Sequence, residues 1–380
     1  MVHTGKVMTQ QNQLQPIVLA AGGTGGHIFP AEALAESLLR LNERVVLVTD
    51  KRFAHFESGA LSTIEKRTIR AGTTLRGGLI KKISGALFIL VGIAQAWNVL
   101  RRLKPKAVVG FGGYPSFPTV YAATILGIPT IIHEQNSVLG RANRMLAARV
   151  NIIATSFEQT QMISSSNLQK VALTGNPVRA SIKALRDVPY PTVMPDGKLH
   201  ILVTGGSQGA SIFSQIVPAA INMLPPTLRA RVRVDQQCRA SELAETRAAY
   251  AKMSVNADLA SFFVDVPARL AASHLVIARS GASTVSELTV AGRPAILVPL
   301  PTAMDNHQYF NANAMEDVGG GWVMTQDGFT AASLSARLEA FLAAPDILGK
   351  AAENARKIGV ADAAYKLAQL VLAQTNGGGS

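Results

Sequence analysis

The sequence contains the same local pattern twice, and this duplication constrains the fold more than any other feature. Residues 17–30 (IVLAAGGTGGHIFP) run from an apolar segment of strand length through a glycine-rich loop into a helical pattern. Residues 199–210 (LHILVTGGSQGA) repeat this order. Residues 107–132 and 275–299 share a second order of strand, glycine turn, helix and strand. Two such halves predict an α/β protein with two Rossmann-like domains, whose parallel sheets face each other across a cleft.

The first glycine loop suits a diphosphate, although a tight turn without a ligand would use the same residues. Glycine brings main-chain N–H groups close to a ligand, and the start of the following helix carries a partial positive charge. The loop lacks the dinucleotide fingerprint, because His27 and Ile28 stand where that motif needs glycine. Gly-Lys-Ser/Thr of a P-loop does not follow either. Asp50, after a second predicted strand at 44–50, keeps a nicotinamide oxidoreductase open as an alternative.

Charge is distributed unevenly along the 380 residues. Residues 1–178 contain 19 Lys and Arg against 8 Asp and Glu, whereas the remaining residues contain 18 against 16. The first half therefore favours an anionic partner, either a membrane surface or a phosphorylated substrate. Scattered basic residues and the lack of a zinc, helix-turn-helix or RNP pattern argue against nucleic acid. The single cysteine, Cys238, excludes an internal disulfide framework, and the polar residues 1–15 do not resemble a secretory signal.

An apolar segment at residues 79–102 allows two interpretations. Residues 83–100 lack formal charge, close to the length of about 18–20 residues that spans a membrane, but they include several polar side chains and interrupt the first predicted sheet. We therefore predict no membrane crossing. The segment is either a buried helix or an exposed apolar patch with a basic rim that contacts lipid head groups. The patch would contain Leu79, Ile80, Lys81, Lys82, Ile83, Leu87 and Phe88.

The predicted strand at 129–135 (PTIIHEQ) ends in a polar cluster, namely His133, Glu134, Gln135 and Asn136. Ligands of parallel sheets bind beyond the carboxyl ends of the strands, where this cluster falls. Glu134 would bind a ligand there or only position a loop, and His133 is expected to be structural. The segment TGNPVR at 174–179 predicts a domain boundary, and the prolines at 189, 191 and 195 predict a linker after it.

In the second half, three features indicate a nucleotide site. The loop at 205–209 offers N–H groups and the Ser207 hydroxyl to phosphate, and a helix that opens at 281–284 can stabilise a departing diphosphate. Glu287 can accept hydrogen bonds from ribose hydroxyls. Residues 305–313 (DNHQYFNAN) suit the hydroxyls of a neutral sugar or form a plain polar turn. Arg179 and Arg279 are either phosphate ligands or surface residues.

Seven motifs in order resemble those of the MurG family: GGTGGHIFPA, GFGGYPSFP, HEQN, TGNPVR, GGSQGA, RSGASTVSEL and DNHQYFNA. Members of this family are N-acetylglucosaminyltransferases that convert lipid I to lipid II in peptidoglycan synthesis. The resemblance implies a GT-B fold, no metal or cofactor, and a peripheral location at the cytoplasmic face of the inner membrane. It implies transfer from UDP-N-acetylglucosamine to the C4 hydroxyl of lipid I with inversion. Partners would include lipid I, an anionic membrane surface at Leu79–Phe88, and other proteins of cell-wall synthesis and division.

The resemblance also implies domains and site residues. An acceptor and membrane-binding domain would cover 1–178, a donor-binding domain 179–354, and a closing helix at about 355–375 would pack back on the first domain. Val264, at the end of a strand, would face uracil, residues 282–287 would hold diphosphate and ribose, and Gln308 would bind the sugar. The implied donor-binding residues are Thr24, Gly25, Gly26, Asn136, Arg179, Ser207, Val264, Ala282, Ser283, Thr284, Val285, Ser286, Glu287 and Gln308.

Two residues are candidates for the base that takes the acceptor proton. His27 is the leading one, because histidine titrates near neutrality and the loop would aim it into the cleft. If His27 instead binds the acceptor diphosphate, Glu134 would be the base. Besides the oxidoreductase, the alternatives are a non-catalytic nucleotide-sugar-binding or scaffold protein and a UDP-N-acetylglucosamine 2-epimerase, which shares the fold.

Overall fold

The computed structural model describes residues 14–23, 25–51, 59–71, 79–194, 196–206 and 210–376, with main chain only for 79–86 and 376. The chain divides between Arg179 and Ala180, and again between Ala361 and Asp362, into two compact units. Each unit contains one parallel β-sheet with helices, which confirms the α/β class and the prediction of two Rossmann-like domains.

The first unit is built on a seven-stranded parallel sheet with the order β3-β2-β1-β4-β5-β6-β7. The residues of β1, β2, β4 and β5 are buried throughout, as expected for parallel strands covered on both faces. The strands are β1 Ile17–Ala20, β2 Val45–Thr49, β3 Glu65–Thr68, β4 Ala107–Gly110, β5 Thr130–Glu134, β6 Ile152–Thr155 and β7 Val171–Leu173.

Helices cover both faces of this sheet. They are α1 Gly25–Arg40, α2 Leu79–Leu103, α3 Ser116–Ile125 and α4 Arg141–Ala147. Ile28 and Leu34 of α1 belong to one core cluster, while Leu100 of α2, Val120 of α3 and Leu146 of α4 belong to the cluster on the other face. Helix α1 therefore lies on one side of β1 and the helices that follow β3, β4 and β5 lie on the opposite side.

The second unit repeats this plan with six parallel strands in the order β10-β9-β8-β11-β12-β13. The strands are β8 Leu199–Thr204, β9 Val232–Gln237, β10 Asn256–Ala260, β11 Leu275–Ala278, β12 Ala295–Leu297 and β13 Gly321–Val323. The helices are α5 Ala180–Lys183, α6 Ser211–Met223, α7 Pro226–Arg229, α8 Leu243–Lys252, α9 Val266–Ala272, α10 Ala282–Ala291, α11 His307–Glu316, α12 Ala331–Ala343 and α13 Asp346–Ile358.

The two strand orders place the duplicated segments in equivalent positions. The order of strands reverses between β1 and β4 in the first sheet and between β8 and β11 in the second. Such a reversal is a topological switch point, where the loops at the carboxyl ends of neighbouring strands diverge and leave room for a ligand. The two glycine loops of the sequence follow β1 and β8, so each lies at a switch point.

The segment that was predicted to be a linker belongs to the second unit. Val193 is buried in the core of that unit, and the guanidinium groups of Arg293 and Arg356 donate hydrogen bonds to the carbonyls of Pro189 and Val188. The linker prediction was wrong because prolines fix φ without preventing a segment from packing on its neighbours. Pro195 lies outside the described residues.

The last helix, α14, covers Ala363–Asn376 and contributes Leu367 and Val371 to the core cluster that contains Leu34 of α1. The expected closing helix at about 355–375 is two helices instead, since α13 ends at Ile358 and belongs to the second unit. Gly359 separates them, and it lies so close to the Thr289 carbonyl that a Cβ atom there would clash. The described helices include none with the length and hydropathy needed to span a membrane.

Candidate functional site

The switch point of the first unit brings together the loops after β1 and β4. A Cβ atom on Gly22 would come within 2.8 Å of Cγ of Pro115, so the loops touch. Gly112 and Gly113 have φ of +83° and +75°, a left-handed conformation that favours glycine. Cβ atoms at these positions would lie 3.2 Å from Cε1 and Cδ2 of His27. The loop after β4 therefore confines the imidazole of His27 by main-chain contact.

His27 lies in the first turn of α1 and is half-buried. Its Nδ1 is 2.9 Å from Oε1 of Gln135, which follows β5. Gly25 and Gly26 open the same helix, whereas Thr24 lies outside the described residues. The structure thus brings the glycine loop, the imidazole and the polar cluster at the end of β5 to one edge of the sheet.

Glu134 is buried, with 2% of its surface exposed, and its carboxylate accepts four hydrogen bonds. The main-chain N–H and the side-chain amide of Asn136 donate to Oε1 at 3.1 Å each. The N–H of Gly140 and the amide of Asn143 donate to Oε2 at 2.8 Å each. Because these donors belong to the loop after β5 and the start of α4, the geometry favours a positioning role for Glu134.

His133 is fully buried and forms hydrogen bonds through both ring nitrogens. Its Nε2 is 3.0 Å from the carbonyl of Gly175, and its Nδ1 is 2.9 Å from Nε2 of Gln135. Burial, followed by the nearby charge of His27, lowers its pKa to about 4, while the bond to Gly175 opposes this. His133 is therefore neutral at physiological pH.

In the second unit, the start of α10 lies at the switch point after β11. Gly281 is the N-cap residue in an extended conformation, so the first N–H groups of the helix have no partner within the helix. The Oγ of Ser283 is buried and has no hydrogen-bond partner among the described residues. Thr284, Ser286 and Glu287 are half-buried. This helix start combines donors, hydroxyl groups and a carboxylate, as a nucleoside diphosphate requires.

The remaining residues of that helix and its neighbouring loop have different surroundings. Ala282 and Val285 are buried, so their side chains pack in the core and only their main chain is available to a ligand. Val264 is 88% exposed and lies beyond the end of β10 at Ala260, so the expectation that it ends a strand was wrong. Ser207 lies outside the described residues, and Gly206 before it has φ of +73°.

The segment after β12 is mostly helical and is anchored to the loop after β11. Asp305 and Asn306 both adopt left-handed φ, and α11 begins at His307, so most of the segment is a helix and not a turn. The side-chain oxygen of Gln308 accepts a hydrogen bond from the N–H of Leu300, and the main-chain carbonyl of Gln308 accepts one from the Ser280 hydroxyl. The buried Asn311 amide donates to the Ser280 carbonyl. These bonds fix Gln308 near the start of α10.

The two candidate arginines differ. Arg279 donates hydrogen bonds to the carbonyls of Val298 and Pro299 and to the side chain of Gln326. It therefore supports the loop after β12, which argues against the proposed role as a phosphate ligand. Arg179, at the boundary of the units, lies with its guanidinium 5.6 Å from the ring centre of Phe29 in α1. Its position is thus tied to the helix that carries His27.

Sequence reasoning assigned no role to three residues that organise these sites: Gln135, Ser280 and Asn311. Gln135 bridges two histidines, and Ser280 joins α11 to the loop after β11. Their signal in the sequence was their position directly after a strand or within a polar motif. Since such positions also occur in ordinary loops, the pattern alone could not distinguish them.

Comparisons with known proteins agree with this architecture. Residues 17–155 match the glycosyltransferase family 28 N-terminal domain, and residues 200–369 match the glycosyltransferase family 28 C-terminal domain. A relative from Rhodospirillum centenum named UDP-N-acetylglucosamine–N-acetylmuramyl-(pentapeptide) pyrophosphoryl-undecaprenol N-acetylglucosamine transferase is 55% identical over 359 residues, 94% of each chain. A relative of the same name from Paramagnetospirillum magneticum is 52% identical, over 94% of this chain and 96% of its own.

Solved structures give the same result. The crystal structure of Acinetobacter baumannii MurG matches with a TM-score of 0.78 at 28% identity, covering 95% of this chain and 100% of that one. A UDP-GlcNAc 2-epimerase from Neisseria meningitidis matches with a TM-score of 0.64 at 16% identity, over 94% and 100%, and shows a likeness of fold alone. The chain is therefore a glycosyltransferase with the GT-B fold. It belongs to the MurG family, as the seven sequence motifs predicted.

Proposed function

We propose that this enzyme transfers N-acetylglucosamine from UDP-N-acetylglucosamine to the C4 hydroxyl of lipid I, forming lipid II for peptidoglycan synthesis. The observation that carries the proposal is the 55% identity, across 94% of both chains, to a transferase whose name states this donor and acceptor. The geometry of the two switch points supports it, because one offers a proton acceptor and the other offers donors for a diphosphate.

The second unit binds the donor in this proposal. The N–H groups at the start of α10 and the Ser283 hydroxyl hold the diphosphate, and Glu287 accepts hydrogen bonds from the ribose hydroxyls. The side-chain oxygen of Gln308 accepts a hydrogen bond from the N–H of Leu300. The amide nitrogen of the same side chain donates to the sugar hydroxyls. Val264 contacts uracil. In the first unit, the family motifs imply donor-binding roles for Gly25, Gly26, Asn136 and Arg179, which stay predictions. Thr24 and Ser207 remain predictions from the family motifs.

The reaction is proposed to invert the configuration at the anomeric carbon. The acceptor C4 oxygen forms a bond to C1 of the sugar while the bond from C1 to the UDP oxygen breaks, and UDP leaves with the electron pair. Negative charge then develops on the diphosphate, and the start of α10 stabilises it through N–H groups and the helix dipole. We propose that no metal is required, so EDTA is expected to leave the rate of transfer unchanged.

We propose His27 as the base that accepts the proton of the C4 hydroxyl. Its ring is held beside the loop after β4, and a hydrogen bond fixes Nδ1, which leaves Nε2 as the atom that can accept a proton. Glu134 suits this role less, because its two oxygens already accept four hydrogen bonds in a buried position. The proposal thus gives Glu134 the task of shaping the loop after β5.

We propose that α2 contacts an anionic membrane surface at the cytoplasmic face. Leu87, Phe88 and Leu90 expose 61%, 44% and 63% of their surface, while Ala96 and Leu100 of the same helix are buried. The helix therefore packs one face of its C-terminal half in the core and exposes apolar side chains nearer its start. Exposed apolar side chains beside basic residues are typical of interfacial helices. The side chains of 79–86 lie outside the description.

A flotation assay with phosphatidylglycerol vesicles tests this contact. The double variant Leu87→Glu with Phe88→Glu is expected to lose most of its vesicle binding. Leu168→Glu, which places a charge at another exposed leucine of the same unit, is the control and should bind like the parent. Unchanged binding of the double variant would exclude α2 as the contact.

The central experiment measures transfer of labelled N-acetylglucosamine to a lipid I analogue in detergent. Formation of the β(1→4)-linked product with release of UDP is expected. Conversion of UDP-N-acetylglucosamine to a hexosamine epimer without acceptor would favour the epimerase, and donor binding without turnover would favour a binding or scaffold protein. Fluorescence titration with NADH would detect the oxidoreductase. Other cell-wall synthesis and division proteins remain proposed partners.

A further inference from the structure

A continuous chain of hydrogen bonds in the first unit joins His27 to a main-chain carbonyl. Nε2 of His133 lies 3.0 Å from the Gly175 carbonyl, and Nδ1 of His133 lies 2.9 Å from Nε2 of Gln135. Oε1 of Gln135 lies 2.9 Å from Nδ1 of His27. His133 and Gln135 are buried, so water does not compete for these bonds at the inner end of the chain.

Main-chain carbonyls fix the direction of every bond in this chain, because a carbonyl oxygen only accepts hydrogen bonds. The Gly175 carbonyl requires that Nε2 of His133 carries a proton. The carbonyl of His133 lies 3.0 Å from the amide of Gln135 and requires that the atom facing it is the nitrogen. The amide oxygen of Gln135 therefore faces His27, and Nδ1 of His27 must donate to it.

The state of His133 is consistent with this direction. With Nε2 protonated, its Nδ1 has a lone pair that accepts a hydrogen bond from Gln135 only while the ring is neutral. Burial lowers the pKa of His133 to about 4, so the neutral form is the one present at physiological pH. A protonated His133 would direct an N–H group at the amide nitrogen of Gln135 and break the chain.

We propose that Gln135 and His133 are positioning residues that hold His27 in the Nδ1–H tautomer and so keep Nε2 ready to accept the proton of the acceptor hydroxyl. This inference rests on the proposed function and on the role of His27 as base. When Nε2 takes the proton, the bond from Nδ1–H to the neutral amide oxygen persists and stabilises the imidazolium. The arrangement corresponds to the orienting partner of a catalytic triad, with an amide in place of the carboxylate.

The first test is direct observation of the tautomer. Long-range ¹H–¹⁵N spectra of the unliganded protein, labelled at the histidine rings, report which nitrogen of each ring is protonated, and His27→Gln identifies the signals of His27. We expect Nδ1 of His27 and Nε2 of His133 to carry the protons. A neutral His27 protonated at Nε2 would overturn the inference.

The second test removes the amide. Gln135→Leu is expected to abolish the tautomer preference of His27 and to lower kcat on the order of 10- to 100-fold, which is part of the effect of a general base. KM for both substrates should change less than about threefold, because the amide contacts neither of them in this scheme. A parent-like kcat in a folded Gln135→Leu enzyme would exclude the positioning role.

A conservative variant separates positioning from structure. Gln135→Glu keeps an acceptor beside Nδ1 of His27 but removes the donor to the Nδ1 and the carbonyl of His133. In its ionised form it also adds negative charge, which stabilises the imidazolium of His27. The acid limb of the kcat profile should therefore move to higher pH, and a purely structural residue would not cause this shift. Gln95→Leu is the matched control, since Gln95 accepts a hydrogen bond from the Arg70 N–H in the same unit, and it should leave the profile unchanged.

These results distinguish this inference from the proposed function. If the parent transfers no N-acetylglucosamine to a lipid I analogue, the proposed function fails, and the spectra still establish whether Nδ1 of His27 is protonated. If the parent transfers the sugar but His27 is protonated at Nε2, the function stands and the positioning role is overturned.

Discussion

At the switch point of the first unit, the loop after β1 leads into a helix that presents an imidazole, and at the second a helix start presents N–H groups and hydroxyls. Each consists of a buried parallel strand, a loop that contains glycine and a helix beside the strand reversal, but α1 follows the first strand at its reversal, β1, whereas α10 follows the second strand at its reversal, β11. The difference lies in what surrounds the ligand position. His27 is fixed by a chain of side chains, whereas the Ser283 hydroxyl is buried without a partner among the described residues.

In the proposed mechanism, the duplicated scaffold assigns two tasks to two separate units. A base needs a fixed tautomer and a defined orientation, which neighbouring side chains supply in the first unit. A diphosphate needs several donors that satisfy a spread charge, which a helix start supplies in the second unit. We therefore expect that a substitution can disable either unit separately, and the following predictions test this expectation.

The largest effect is expected for His27→Ala. Removal of the proposed base should lower kcat about 10²- to 10⁴-fold. Binding of UDP to the second unit should stay within about twofold of the parent, measured by isothermal titration calorimetry. A variant with turnover within tenfold of the parent would exclude His27 as base, and a large loss of UDP binding would contradict the separation of tasks.

Glu134→Ala is expected to act mainly on stability. It leaves the N–H of Gly140 and the buried amide of Asn143 without their acceptor, at a cost of about 1–3 kcal/mol for each buried group. The free energy of unfolding of the first unit should fall by at least about 2 kcal/mol in urea melts. Loss of kcat in a stable variant without this destabilisation would instead support Glu134 as the base.

Glu287→Ala should weaken donor binding without affecting the first unit. A hydrogen bond to a charged acceptor contributes about 1.5–3 kcal/mol, so the dissociation constant of UDP-N-acetylglucosamine should rise about 10- to 100-fold. The tautomer of His27 in the ring spectra is the control and should be unchanged. Equal affinity of parent and variant would remove Glu287 from the donor site.

The sequence predicted the fold well because both sheets consist mainly of buried apolar strands. Ile17–Ala20 is apolar over its length and Leu199–Thr204 (LHILVT) is mainly apolar, and their glycine loops mark the strand ends. Edge strands escaped prediction: Glu65–Thr68 reads EKRT and Asn256–Ala260 reads NADLA. At an edge only part of the strand is covered, so the polar residues give no periodic apolar signal.

The candidate site was predictable to the extent that its residues follow strand ends. The positions of His27 and Glu134 near the first switch point follow from the parallel topology. The four hydrogen bonds of Glu134 depend on how the loop after β5 returns to α4 at Gly140, which no short-range pattern encodes. The contacts of Arg279 could not be predicted for the same reason, because its carbonyl partners Val298 and Pro299 follow a different strand.

The comparison of the units can also be sharpened by pH. Burial lowers the pKa of one described histidine in each unit to about 4, namely His133 in the first and His274 in the second. In the unfolded chain these groups titrate near 6.5, so between pH 6.5 and 4 the unfolded state binds more protons. The contribution of the two neutral histidines to the free energy of unfolding is complete above pH 6.5 and is lost as the pH falls toward 4. For His133 the loss from pH 7 to 5 should be about 2 kcal/mol.

The two tryptophans allow each unit to be followed separately, since Trp97 lies in the first and Trp322 in the second. In the Trp322→Phe background only Trp97 remains, so fluorescence in urea melts reports unfolding of the first unit. Adding His133→Gln to this background should reduce the change in unfolding free energy between pH 7 and 5 by about 2 kcal/mol. In the same background His274→Gln should leave this pH dependence unchanged. In the Trp97→Phe background, where Trp322 reports the second unit, His274→Gln should reduce the pH dependence and His133→Gln should not. If either histidine variant flattened both transitions equally, the units would unfold as one, and the separation of tasks would not extend to stability.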